Sequence, residues 1–269
     1  IYTLSLHDAL PISKRILLMR SIAIDMKWPD LALFDELAEG FKIVGPVTES
    51  GIFKQGITLA EISPQQLRDR TKYLRPMIIG RAKLGDGNEL QQQLYDTTLE
   101  EAREKNWLEG PLQPSQVDDN MGSDWLPVRR FGVLQKDKLR PIDDFKENHV
   151  NKTFASSERL ELRTMDHTLW SLFTVLKFLL FDGRLDFTLS SGERLCAEVH
   201  PAWKSVEPNF KTSCIDLKSA YKQLPLNEDN YKDSVVTIWN PDKKCVDCFV
   251  MKVLPFGAAA SVHHFLRVS

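Results

Sequence analysis

The sequence predicts an α+β fold, mainly helical up to about residue 110 and rich in hairpins from 111 to 269. Helical spacing with cap signals recurs between Trp28 and Leu108. Extended stretches joined by polar turns recur at Trp125–Asp143 and at Ser234–Val253. Between them, Pro111–Met121 carries Pro, Gln, Ser, Asp and Asn with little periodicity and reads as a connector at which a domain boundary falls.

Composition narrows the classes of function. A chain of 269 residues, 42% hydrophobic and 27% charged, can bury one large core or two modest ones. The formal net charge of -2 gives no global basic signature, so a nucleic-acid partner would have to be held by a local patch. Cys245 and Cys248 have a C-x-x-C spacing, but Cys196 and Cys214 do not repeat it. On a strand the odd separation sends the two thiols to opposite faces, which argues against zinc and for a reduced, intracellular setting in the cytoplasm or nucleus. No run reaches the ~18 apolar residues of a membrane span, so no membrane partner is expected.

Residues Ile1–Ser13, IYTLSLHDALPIS, resemble the translation of a sequencing-library adapter and are set apart from a helical region spanning 14–110. Trp28–Gly40 has Pro29 in a first turn, Leu31, Phe34 and Ala38 on one face, and Gly40 as a stop. Gly45, Pro46 and Gly51 break the following stretch into a loop with short extended pieces. Ser63, Pro64 and Gln66 supply a capping box for a helix expected to end near Leu74, ahead of Pro76. Gly80–Gly87 reads as an exposed bend. Glu89–Leu108 is a long helix with Leu90, Leu94, Thr98 and Ala102 at helical spacing.

From residue 111 onward the pattern changes. Trp125–Leu134, a polar turn at Gln135–Lys138 and Leu139–Asp143 form a two-stranded ribbon that should expose Arg129, Arg130, Lys136, Lys138 and Arg140. Such a run of cations is either a solvated hairpin or a phosphate site. Asp143 and Asp144 are neighbours on an extended segment, so they diverge and are not assigned to catalysis; Asn148 and Asn151 are expected to satisfy local backbone groups. Asp166–Phe181 reads as an amphipathic to fully buried helix, followed by a hairpin over Arg184–Val199.

The densest pattern is Cys214-Ile215-Asp216-Leu217-Lys218-Ser219-Ala220-Tyr221, then a hairpin, then Leu254-Pro255-Phe256-Gly257. Asp216 admits two readings. It caps a helix over Leu217–Leu224, or, as a carboxylate at the exit of an apolar strand, it holds a divalent cation that relieves the cost of its burial.

In order and spacing these motifs resemble the fingers and palm of a retroelement reverse transcriptase, the retrotransposon or retroviral type, over Arg130–Ser269. The resemblance implies a polymerase right-hand fingers and partial palm across 111–269. It implies Lys136 and Arg140 on the triphosphate of an incoming deoxynucleotide, Asp216 as the first catalytic and metal-binding aspartate, and Leu217, Lys218, Ser219 and Ala220 lining the triphosphate site. Tyr221 would lie under the sugar, with Phe256 and Gly257 against the base and template backbone and Ser261 and Phe265 following. It further implies Mg2+, or Mn2+ in its place, and an RNA or DNA template with primer and deoxynucleoside triphosphates as partners. Template choice and oligomeric state are open.

Where the pattern departs from that family is equally informative. No adjacent aspartate pair follows Asp216; Asp118-Asp119 and Asp143-Asp144 both precede it. The expectation is therefore a polymerase fragment truncated before the catalytic Asp-Asp hairpin and inactive by itself. The alternatives are a non-catalytic nucleic-acid-binding remnant, whose affinity would survive alanine at Asp216, and a structural or interaction protein indifferent to nucleic acid.

Overall fold

The computed structural model of the protein describes residues 15–83, 88–136, 138–161, 165–179, 183–189, 192–203 and 217–269. The chain divides into two compact units, one of residues 1–160 with 218–269 and one of residues 161–217.

In the first unit the helices and strands are, in order, α1 (Ile16–Asp25), α2 (Ala32–Glu39), β1 (Lys54–Thr58), α3 (Pro64–Ala82), α4 (Asn88–Arg103), β2 (Leu108–Leu112), α5 (Pro114–Met121), β3 (Pro127–Gln135), β4 (Lys138–Asp143) and β5 (Ser156–Arg159). The second unit contributes α6 (Met165–Lys177), β6 (Arg184–Thr188) and β7 (Arg194–Glu198). The first resumes with β8 (Val235–Asn240), β9 (Cys245–Met251) and α7 (Ala259–Val268). This is a mixed α+β fold.

Its centre is a five-stranded sheet in the order β2-β9-β8-β3-β4, antiparallel except for the parallel pair β3 and β8. Alternation splits the side chains of β8 and β9 between two apolar clusters. Val236, Ile238, Phe249 and Met251 pack with Leu94 and Tyr95 of α4, and Val235 and Cys248 pack with Val117 and Trp125. Cys248 is buried while Cys245 is half-buried, and apolar burial pushes the Cys248 thiol up to about 12.

Several elements differ from the sequence reading. Helix α1 was not signalled, because ILLMRSIAID has neither an N-cap nor a polar face, and only Ala23 of it is buried. The Ser63–Gln66 capping box forms, with the Ser63 hydroxyl accepting from the Gln66 amide at 3.1 Å. The helix does not stop before Pro76, however, and runs to Ala82. An internal proline costs roughly 3 kcal/mol, and burial of Leu67, Leu74, Ile78 and Ala82 on both sides of it offsets that cost. The expected boundary at 110/111 falls inside β2, which pairs with β9. Helix α6 has no buried residue; Leu169 and Trp170 are 55% and 67% exposed, and Trp170, Phe173 and Thr174 line an open groove together with Leu185 and Phe187 of β6.

Helix α7 is fastened by buried polar contacts. Arg267 donates from Nε and Nη2 to the two oxygens of Asp30, both at 2.8 Å, and also pairs with Glu36. His264 Nε2 lies 2.8 Å from the Lys42 carbonyl, and His263 Nε2 lies 3.6 Å from Glu158. Burial drives the His264 imidazole down to about 3, against the pull of the Lys42 carbonyl, and burial with the nearby Arg267 charge lowers His263.

Both rings are therefore neutral in the folded chain, whereas in the unfolded chain they titrate near 6.5. Below that pH the unfolded state binds more protons, so stability must fall as pH drops toward the folded values, by up to about 1.4 kcal/mol per pH unit per histidine. Urea denaturation should show a lower midpoint at pH 5.5 than at pH 7.5; equal midpoints would refute this assignment.

Candidate functional site

The sequence motifs meet where residues 221–226 run antiparallel to 252–254. The Leu254 amide donates to the Leu224 carbonyl at 2.9 Å, the Leu226 amide to the Lys252 carbonyl at 2.9 Å, and Pro225 bridges Val253. This pairing brings Tyr221 beside Phe256 in an edge contact with ring centroids 4.7 Å apart. A second edge contact joins Tyr221 to Phe265 of α7 at 5.0 Å. Tyr221 is half-buried and Phe256 is 44% exposed, so the pair presents an aromatic surface to solvent. Edge-to-face packing of this kind adds roughly 0.5–1.5 kcal/mol beyond the area it buries.

Gly257 continues that surface at φ +99, a left-handed backbone. A Cβ there would sit 2.7 Å from the Asp143 carbonyl oxygen. The close approach is thus to the end of β4, within the protein itself. Asn151 locks the turn: its Nδ2 donates to the Gly257 carbonyl and its Oδ1 accepts from the Ala259 amide, each at 2.8 Å. This corrects the expectation that Asn151 serves only local backbone. Asn148 does so, accepting from the Val150 amide at 3.1 Å.

Beneath this surface lies a buried group of four charges. Arg130 donates from Nε and Nη2 to Asp143 at 2.7 and 3.0 Å, and from Nη1 to Glu101 at 2.8 Å and to Thr98 at 3.2 Å. Lys222 Nζ is 3.9 Å from Glu101 and 5.7 Å from the Trp107 ring centre. Burial opposes the Arg130 charge, but the Asp143 and Glu101 carboxylates outweigh it and raise its pKa. Burial likewise works to raise Asp143, and Arg130 more than reverses this, so Asp143 is held low and ionised. For Lys222 burial prevails over Glu101 and Asp143, and its pKa is lowered.

The cationic ribbon is accordingly smaller than the sequence implied. Arg130 is sealed under the sheet because alternation keeps it in phase with buried Val128. Arg129 donates to Glu147 at 2.9 Å and lies over the Phe131 ring at 4.8 Å. Lys136, Lys138 and Arg140 remain exposed, and among the described residues no ion pair engages them. Lys136 sits at the turn with φ +50, and Arg140 pairs with Val133. Three residues before Asp143 on β4, Arg140 is about 10 Å along the strand from the Gly257 contact and points to the face opposite Asp143.

Asp216 and the strand expected before it lie outside the described residues. Leu217 and Lys218 are exposed, and Ser219 is left-handed at φ +61. A 3-10 helix follows over Ala220–Gln223, with the Gln223 side chain donating to the Lys218 carbonyl at 2.8 Å. Among the described residues no group of three or more His, Cys, Asp or Glu converges as a metal site. None of their helices is long and apolar enough to cross a membrane.

Sequence reasoning missed Asn151, Glu101 and Lys222. Glu101 alone left a signal, since it falls three residues after Thr98 on the apolar stripe of α4. No protein-family model and no curated protein matches the chain.

Substituting Gly257→Ala forces a side chain against the Asp143 carbonyl in a left-handed conformation. It should destabilise the first unit by about 1–3 kcal/mol. A urea midpoint unchanged from wild type would contradict the close approach.

Proposed function

We propose that Tyr221, Phe256 and Gly257, with Lys136 and Arg140 on the β3-β4 hairpin, form the deoxynucleotide-binding surface of an RNA-directed DNA polymerase of the retroelement reverse transcriptase type. One observation carries the reading: motifs separated by 35 residues of chain, Tyr221 and Phe256, meet as an aromatic pair whose edge reaches solvent, and the glycine next to Phe256 rests on the strand that bears Arg140.

Each residue has a role that its chemistry fits. A triphosphate concentrates negative charge, and Lys136 as a point charge and Arg140 as a planar fork neutralise its outer phosphates. The aromatic pair offers flat apolar area for a sugar and base, and the missing side chain at Gly257 lets the turn seat against the Asp143 carbonyl and so holds Phe256 in place. Leu217, Lys218, Ser219 and Ala220 supply backbone next to the triphosphate. Mg2+ or Mn2+ enters this proposal through Asp216, as two-metal chemistry of nucleotidyl transfer. The carboxylate pair that would complete such a site is not among the 269 residues, so the property assigned to them is binding of nucleotide and of an RNA or DNA template with primer.

Equilibrium dialysis of the full chain with deoxythymidine triphosphate tests this. The wild type should bind more weakly as salt rises, and Lys136→Ala/Arg140→Ala should bind at least about ten-fold more weakly than wild type. Equal affinity in the two proteins, or no binding by the wild type, would refute the assignment.

A further inference from the structure

Lys222 poses a physical problem that the nucleotide surface does not by itself explain. Its side chain is 5% exposed, and among the described residues its ammonium has no hydrogen-bond partner and the nearest carboxylate oxygen is 3.9 Å away. A buried cation so poorly satisfied is costly, and an apolar side chain of the same length would avoid the cost. What the position does offer is charge balance. Arg130 and Lys222 face Asp143 and Glu101, two charges of each sign in one buried pocket, with Trp107 alongside.

Both ends of this quartet adjoin the aromatic surface. Lys222 follows Tyr221 directly in the 3-10 helix, where the Lys222 amide donates to the Ser219 carbonyl at 2.7 Å. Asp143 offers its side chain to Arg130 and its carbonyl oxygen to the close approach of Gly257. The Lys222 and Tyr221 side chains thus leave neighbouring positions of one short helix, one entering the quartet and the other resting on Phe256.

We propose that Lys222 is a positioning residue: its balance against Glu101 in the buried quartet sets the Tyr221 ring on Phe256 and so fixes the surface that receives the nucleotide. The proposal rests on the nucleotide-site reading for its functional consequence, whereas its geometric content stands without any ligand.

The test uses the full chain with 4-fluorophenylalanine at Phe256, observed by fluorine NMR, and deoxythymidine triphosphate affinity measured on the same samples. Lys222→Met should shift the fluorine resonance and weaken the triphosphate about ten-fold. Lys222→Met/Glu101→Gln removes one charge of each sign and should return both readouts toward wild type. A Lys222→Met resonance identical to wild type would overturn the proposal. Should Lys222→Met fail to fold, the double variant decides: a wild-type resonance supports the role, and a displaced one refutes it. A wild type that binds no triphosphate refutes the nucleotide site, while the fluorine comparison still decides the role of Lys222.

Discussion

The two-pronged contact between Arg130 and Asp143 is the interaction on which the rest of the first unit depends. Either charge alone in that interior would cost several kcal/mol, and breaking such a buried pair typically costs 3–5 kcal/mol because the survivor is left uncompensated. Here the pair joins adjacent strands, and Glu101 extends it to the helix lying across them. Lys222 brings in a fourth charge from far along the chain. The quartet thereby does what apolar packing does poorly: it specifies which residue of each element must sit opposite which, since a shift of one residue on a strand would send Arg130 to the other face.

That specification matters because the candidate surface is assembled from distant segments. Tyr221 and Phe256 meet through the short pairing of 224–226 with 252–254, and Gly257 rests on the carbonyl of the residue that anchors Arg130. Asn151 closes the same turn from a third segment. On the far side, α7 is held by Arg267 in the grip of Asp30, which keeps Phe265 behind Tyr221. The aromatic pair is thus backed by ionic and hydrogen-bonded ties on several sides, and only its outer edges reach solvent.

Much of this scaffold was legible from residue order. The β3-β4 and β8-β9 hairpins follow from alternation and polar turns, and the Ser63 capping box fixes where α3 begins. The divergent faces of Cys245 and Cys248 follow from parity. What stayed hidden depends on partners remote in sequence. Arg130 reads as one more surface cation until Glu101 and Asp143 are seen to close over it, and Asn151 reads as a local cap until residues 257 and 259 arrive. Pro76 misled because a local breaking tendency says nothing of the apolar stripe that continues beyond it. The apolar run of α6 reads as core from its composition, yet none of the helix's residues is buried, because apolar content alone does not say what packs against it.

Photolabelling addresses the central claim most directly. Wild-type chain irradiated with an azido-substituted deoxynucleoside triphosphate and digested for mass spectrometry should carry the label on peptides containing Tyr221 or Phe256, with protection by unmodified triphosphate. Competable label confined to peptides remote from both, such as those of α1 or α5, would contradict the account.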